Sequence, residues 1–515
     1  MLAIRLEGRP LALKLPVRPL CVLSEEQLDS LHRASVQILE RVGVEIYCDG
    51  ALELLAQAGA SVNRLGCRVR FPSEMVEAAI STAPARFSLR GRGPGAPVEV
   101  GGNAMVLAPV GGPSMIADLE GGPRPGRFAD QVNFIKLSHS SRLLDLTYRC
   151  VEAQDLPAAT RHLDFLEAAI RYSHKPFGAM SLDAGSAVDT LLVAALVFDG
   201  GDQLRQGPVV LAGVNVDSPL RLSRETADTI IAFARAGQPV KITPFVLTGV
   251  MSPVTLAGAL AQENAEALAG IVLAQVARSG APVLYGTFAS HADMRTASPM
   301  FGGPEGLLME VAAGQLARRY GIPHRGMGLV TTAPTCGIQA AMEKMNCLWA
   351  LAQSNVQLLM HAAGWLEGGL TASYEQFVLD LEMLESMERF QAGFQVNEGT
   401  LALDTIAAVG PGGSFLMADH TLANHRMRGF PSPLLENRPY DAWQADGRPS
   451  LLQGARTMWR QWLQEYEAPP ADQGLLDSVH EYVERRKRGE QPALAASQRG
   501  DVTTLASSLG SITRN

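Results

Sequence analysis

VKITPFVL (Val240–Leu247) and PVLYGTFAS (Pro282–Ser290) are short apolar runs separated by a longer segment, Thr255 to Arg278. That segment carries Leu256, Leu260, Leu268, Ile271 and Val272 and stops at Gly280. The runs predict strands buried on both faces, and the spacing between them predicts a helix ended by glycine. Strand, helix and strand of this kind form one β-α-β unit of a parallel sheet.

The alternation recurs from about residue 128. LLDLTYRCVEA (143–153), PFGAMSLDA (176–184), PVVLAGVNV (208–216), HRGMGLV (324–330), VQLLMHAA (356–363) and SFLMADHT (414–421) raise the strand candidates to about eight. Eight units predict an α/β protein with a (β/α)8 TIM barrel. An open doubly wound sheet fits less well, because no GxGxxG follows any strand.

Upstream, Ser24-Glu-Glu-Gln27 reads as a capping box opening a helix with Leu28, Leu31, Ile38, Leu39 and Val42 on it. A Gly-, Pro- and Arg-rich stretch with strand-like pieces such as CRVRF and AMVLAPV follows, up to Arg127. Residues 1–127 are therefore expected to form an N-terminal α+β region wrapped on the main body. Residues 128–430 are expected to form the barrel, and 431–515 a helical C-terminal extension and tail. Tyr440–Tyr466 holds three of the five tryptophans, and Arg485–Arg488 reads as a solvated helix end.

The chain has 515 residues, of which 47% are hydrophobic and 19% charged, with a net charge of −8. That balance excludes nucleic acid as main partner, since no basic surplus faces the phosphates. Six scattered cysteines without a CxxC pair point to reduced thiols and a cytoplasmic protein. The first residues lack a signal-peptide pattern, and no apolar run is long enough to span a membrane.

Chemistry in a barrel is expected where strands end. Those positions hold Arg149 and Glu152, Asn215 and Asp217, Phe245, then Tyr285, Phe288, His291 and Asp293. Thr331 and Thr332, His361 and Trp365, and finally Asp419 and His420 complete the set. No HxH strand occurs and Cys336 and Cys347 make a poor ligand pair, so no metal site is expected. No GxSxG elbow is present, and Lys241 sits near the start of its strand, the wrong end for a Schiff base. What remains is a pocket of aromatics (Phe245, Tyr285, Phe288, Trp365) and a few acids, which suits a cationic, methyl-rich ligand.

Several patterns resemble the trimethylamine:corrinoid methyltransferase family. They include LSEEQLDSLHRASVQILERVGVEI, Ser252–Gly258 with Gln262–Glu266, Gly280–Gly286, Asp293–Thr296, Gly303–Leu308, His361–Trp365 and GPGGSFLMADHT. The resemblance covers nearly the whole chain. It implies a (β/α)8 barrel and transfer of a methyl group from a methylated amine to cobalt in a separate corrinoid protein, with no cofactor tightly bound. The sequence holds no pyrrolysine, so it is similar to the branch that acts on quaternary amines such as glycine betaine. Under that reading His361 acts in the substrate site on a carboxylate, with Arg149 or Arg325 sharing the role, and Asp419 and His420 lie on the pocket rim. His425 is expected to be structural.

The resemblance departs at Thr331–Gly337, where threonine, alanine and proline replace the family's acids and imply a less negative pocket. Two other readings stay open: a lyase or hydrolase with a divalent metal at His361 and His420, and a non-catalytic betaine sensor. A homo-oligomer is expected, with the Trp-rich C-terminal segment as candidate interface.

Overall fold

The computed structural model describes residues 13–14, 19–180, 184–198, 204, 206–428 and 432–490. Strands β1 (Arg86–Leu89), β2 (Val98–Gly101) and β3 (Ala104–Leu107) come from the N-terminal part of the chain. They are followed by β4 (Phe177–Met180), β5 (Val210–Val216), β6 (Val240–Pro244), β7 (Val283–Gly286), β8 (His324–Gly326) and β9 (Leu358–Leu359). These nine lie in one curled sheet in the order β4-β5-β6-β7-β8-β9-β3-β2-β1. All neighbours from β4 round to β3 are parallel. Helices line the outside, giving an α/β barrel-like architecture.

The segment around Thr147 lies between the two ends of the parallel part. Asp145 N–H donates to Leu107 O of β3 at 2.8 Å, and Thr147 bridges Phe177 of β4 in parallel. SFLMADHT, expected as the eighth strand, is not one. It leads instead into a helix over Asp419–Arg428, and Phe415, Leu416 and Met417 are exposed. The strand beside β9 is β3, which belongs to AMVLAPV, so a boundary at residue 127 cuts through the sheet. The N-terminal region is stitched in a second time where Val44–Ile46 pairs with Arg221–Leu222.

Helix α1 (Glu25–Gln37) opens with the expected capping box, Ser24 with Gln27. It packs on the helix α2 (Leu256–Ala277), which is buried all round from Ala259 to Gln275. A helix between a sheet and an outer layer has no solvent face, so its sequence loses amphipathic contrast. The inner core holds Val106, Leu146, Tyr148, Leu211, Leu284 and Leu358, joined by Phe87, Leu89, Val98 and Val100 of the β1–β2 hairpin. Arg90 N–H donates to Pro208 O just before β5 begins, so this hairpin plugs the N-terminal base of the sheet.

Candidate active site

At the C-terminal ends of the parallel strands a cavity of ≈ 140 Å³ opens. Strand position sets depth within it. Lys241 and Thr243 lie inside β6, Tyr148 and Arg325 beside them, and all four are buried. Phe245, Phe288 and Trp365 lie just past strand ends and wall the upper part, and Asn215 is exposed at the mouth.

Strand glycines make this floor. A Cβ at Gly178 would meet the Tyr148 ring, one at Gly213 would meet Lys241 Nζ, and one at Gly286 would meet Thr243 Oγ1. The missing side chains let Tyr148 and Lys241 stretch across the interior. Lys241 therefore reaches the cavity although its Cα sits near the start of the strand, and its dismissal on sequence grounds is corrected.

The wall is aromatic. Phe288 lies 5.4 Å from Phe245, 5.9 Å from Trp365 and 5.3 Å from Phe301, centroid to centroid. His361 lies 4.4 Å from Trp365. Such faces carry partial negative charge and accept a cation without a formal counter-ion.

The floor is rich in donors. Arg325 donates from Nη1 to Thr287 O at 2.8 Å, and its guanidinium lies 5.3 Å from the Phe288 ring. Burial lowers its pKa to about 10 despite Glu310 nearby. Burial, and then Arg325, hold Lys241 well below the ordinary lysine range. Tyr148 OH, Thr243 Oγ1, Arg325 Nε and Trp365 Nε1 are buried without a hydrogen-bond partner. Buried polar atoms left so cost stability, and such clusters are expected where something is to be bound.

His361 sharpens the point. Gly111 N–H donates to its Nδ1 at 3.2 Å, and Arg325 Nη2 lies 3.2 Å from its Nε2. Burial and the cations of Arg325 and Lys241 lower its pKa well below normal, so the ring is neutral. A neutral imidazole accepts at one nitrogen only. With Nδ1 accepting from Gly111, Nε2–H faces the Arg325 N–H, donor against donor. An anion between them satisfies both. The residue holds a left-handed backbone, φ 53°, which turns the ring inward.

The structure thus brings Asn215, Phe245, Phe288, His361 and Trp365 together. Arg149 and Glu152 lie beside the cavity and not in its lining. They pair at 2.7 Å, and Arg149 O accepts from Gly112 N–H, bracing the Gly111–Gly112 wall. Tyr285 points outward: it is fully buried and its OH donates to Asn264 Oδ1 at 3.0 Å, on α2. His420 lies on the Asp419–Arg428 helix, its Nε2 3.2 Å from Gly399 O, away from the cavity. Asp419 goes with it. His361 and His420 therefore do not meet, and no group of three or more His, Cys, Asp or Glu placed to hold a metal occurs among the described residues.

The altered loop has a visible role. Thr331 Oγ1 donates to the Glu343 carboxylate, Thr332 N–H does so at 3.0 Å and Gln339 Nε2 at 2.9 Å. Glu343 is thereby turned into the loop instead of the cavity. Behind His361, Asp380 Oδ2 accepts from Gly364 N–H at 2.7 Å and pairs with Lys344 at 2.9 Å, both side chains fully buried. This clamp fixes the turn that carries His361 and Trp365.

A barrel-like α/β sheet with an aromatic, donor-floored cavity at its strand ends defines a small-molecule enzyme site. The sequence profile of the trimethylamine methyltransferase (MTTB) family matches residues 8–490, and the chain belongs to that family. It is 36% identical over 467 residues to glycine betaine methyltransferase of Desulfitobacterium hafniense (strain Y51), covering 90% of this chain and 97% of that one. Trimethylamine methyltransferase MttB of D. hafniense (strain DSM 10664 / DCB-2) is 30% identical over 465 residues, covering 90% and 93%. Monomethylamine methyltransferase (MtmB) of Methanosarcina barkeri is a structural neighbour with TM-score 0.49 and 12% identity, covering 88% and 97%. The chain is an enzyme, a methylamine methyltransferase. No helix among the described residues is long and apolar enough to cross a membrane.

Proposed function

We propose that this enzyme takes a methyl group from a betaine, a quaternary ammonium that also bears a carboxylate, and passes it to the cobalt of a separate corrinoid protein. The observation that carries the reading is the polarity of the cavity along its depth. Donors without acceptors lie at the floor and aromatic faces line the upper wall. A carboxylate seated on Arg325 and His361 leaves the trimethylammonium against Phe245, Phe288 and Trp365, its methyl groups towards the mouth. Lys241 and Tyr148 supply further donors to the same anion. The similarity to a glycine betaine methyltransferase supports the substrate class.

The corrinoid supplies a nucleophilic cobalt that accepts the methyl group. This chain orients the substrate and excludes water. When the C–N bond breaks, its electron pair stays on nitrogen and a neutral tertiary amine leaves, so no side chain has to deliver a proton. That fits a wall of phenyl and indole faces with no acid aimed at the ammonium. Around the mouth, Val250, Val254 and Met294 in strand-to-helix connections, Ile338 and Met342 on the first turns of the helix over Ile338–Ser354, and Leu370 in the turn after Trp365 are exposed apolar side chains. A protein that must bring its cofactor to the cavity docks on such a rim. We also read the sheet as an eight-membered barrel made of β3, the segment around Thr147, and β4 to β9.

The test uses purified protein, a corrinoid held as Co(I) and a panel of quaternary amines. Glycine betaine, proline betaine, carnitine and γ-butyrobetaine carry a carboxylate, choline does not, and trimethylamine, a tertiary amine, is the control. Loss of Co(I) absorbance with a carboxylate-bearing compound is expected. Arg325→Ala should lower kcat/KM by about 10–100-fold, the loss of a charge-assisted hydrogen bond. Turnover of choline at least as fast as of every betaine would sink the proposal.

A further inference from the structure

Lys241 sits in surroundings that are the reverse of those of two other lysines. Lys175 Nζ donates to Ser138 O at 2.6 Å, and to Ser141 O and Leu144 O at 2.7 Å each. Lys344 Nζ donates to Leu329 O at 2.8 Å and pairs with Asp380 at 2.9 Å. Acceptors hold both, and acceptors suit an ammonium. The polar groups of the aromatic C-terminal segment are satisfied too. Trp459 stacks on Tyr374 at 4.5 Å and donates to Glu375, and Trp462 packs in the same cluster. That Trp-rich segment, expected as an interface, is used within its own chain.

Around Lys241 the acceptors are missing. Among the described residues its cavity is lined by no Asp or Glu. A Cβ built on Gly213 would lie 2.4 Å from Lys241 Nζ and 2.9 Å from Tyr148 OH, so the amine and the phenol flank one spot. Tyr148 OH has no partner there. Two residues further along β6, Thr243 Oγ1 is likewise unpartnered, and Gly286 beside it is in register with Arg325. Arg325 Nε is a third orphaned donor, and the guanidinium charge reaches Nζ. Burial, and then that charge, favour the neutral amine, which keeps its electron pair. A nucleophilic amine among donors without acceptors is completed by becoming an anion.

We propose that Lys241 is a reversible carbamylation site for dissolved carbon dioxide, with Arg325, Tyr148 and Thr243 holding the carbamate. Nζ attacks the carbon of CO2 with its electron pair. The C–N bond forms as one C=O π bond opens onto oxygen, and one Nζ proton leaves to solvent through the mouth. A neutral amine becomes a monoanion, and nothing is oxidised or reduced. An ordinary lysine in water is an ammonium with no electron pair to offer. The carbamate oxygens then receive charge-assisted hydrogen bonds from the waiting donors. Carbamate and substrate carboxylate use the same donors, so carbon dioxide closes the floor to a betaine and a bound betaine closes it to carbon dioxide. The modification goes beyond the substrate reading and does not depend on it, because it forms in the empty cavity.

The full chain, equilibrated under CO2, is trapped with triethyloxonium, digested and mapped by mass spectrometry. An ethyl carbamate on Lys241 is expected, and it should carry the label when isotopically labelled CO2 is used. Carbon NMR of the untrapped sample should show a carbamate signal that Lys241→Met lacks. Tyr148→Phe should raise the CO2 concentration for half occupancy about 10-fold, the loss of one hydrogen bond to a charged group. Its hydroxyl has no partner in the free protein, so circular dichroism should be unchanged. If that variant does not fold, Thr243→Val takes its place with the same expectation. A Lys241 with neither adduct nor signal overturns the proposal, as does a carbamate confined to the α-amino group or to Lys175. Wild-type occupancy in the donor variant overturns it as well. A negative result here leaves the outcome of the betaine panel standing, and a negative panel leaves the carbamate standing.

Discussion

Lys241 reaches the cavity only because Gly213, on the neighbouring strand, carries no side chain in its way. Burial and the Arg325 cation make its charged form costly, so its pKa lies well below the ordinary value. A bound carboxylate reverses that cost by favouring the ammonium. Binding then takes up a proton at pH values above the lowered pKa, and affinity falls as pH rises. Below that pKa the lysine is charged already and the dependence flattens. Calorimetry of betaine binding in buffers of different ionisation enthalpy should show this uptake, and Lys241→Met should abolish it. An uptake that survives in Lys241→Met would assign the proton to another group. From the sequence Lys241 reads as lying at the wrong end of its strand, because the Cα position is legible and the reach of a long side chain is not. Tyr285 fails for a related reason. Inner and outer positions alternate along a strand, and only the placement of Leu284 in the inner core settles that Tyr285 faces α2.

Elements hold the site more than loops do. Asp380 on the helix over Tyr374–Gln391 and Lys344 on the preceding helix, Ile338–Ser354, meet at 2.9 Å with no solvent access, and together they fix the Gly364–Trp365 turn. Removing one member leaves the other charge buried and unpaired. Lys344→Met should cost about 3–5 kcal/mol in urea unfolding. Adding Asp380→Asn should recover part of that loss, since the two changes remove one interaction. Equal and additive losses would show that the pair does not act as a clamp. The strand-helix rhythm was legible through most of the sheet because its strands are apolar on both faces. SFLMADHT carried the same signal for another reason: it is apolar and exposed, and composition alone does not separate a buried strand from a surface awaiting a partner. AMVLAPV was legible as a strand, but its place beside β9 depends on a residue pairing, Val106 with Leu358, across most of the chain.

On the scale of the whole molecule, the two ends of the sheet differ. The mouth is ringed by exposed apolar residues, and the base is plugged by the β1–β2 hairpin. Ile338, 80% exposed, stands at the mouth at the start of its helix and away from the cavity floor. Ile338→Glu should slow methyl transfer to the cognate corrinoid protein by about 10-fold, the loss of one interface anchor. Betaine affinity and transfer to free Co(I) cobalamin should not change. A uniform loss in all three would place Ile338 in the substrate site instead. The chain order around the sheet has a further consequence. β3 is made early on the ribosome, and its parallel neighbour β9 follows some 250 residues later. Until then one edge of the nascent sheet keeps its backbone donors and acceptors unpaired, which is where a growing chain is most open to pairing with the wrong strand. The last join made in each molecule links the oldest strand of the parallel part to the youngest, and the emerging polypeptide needs a guardian for that edge until then.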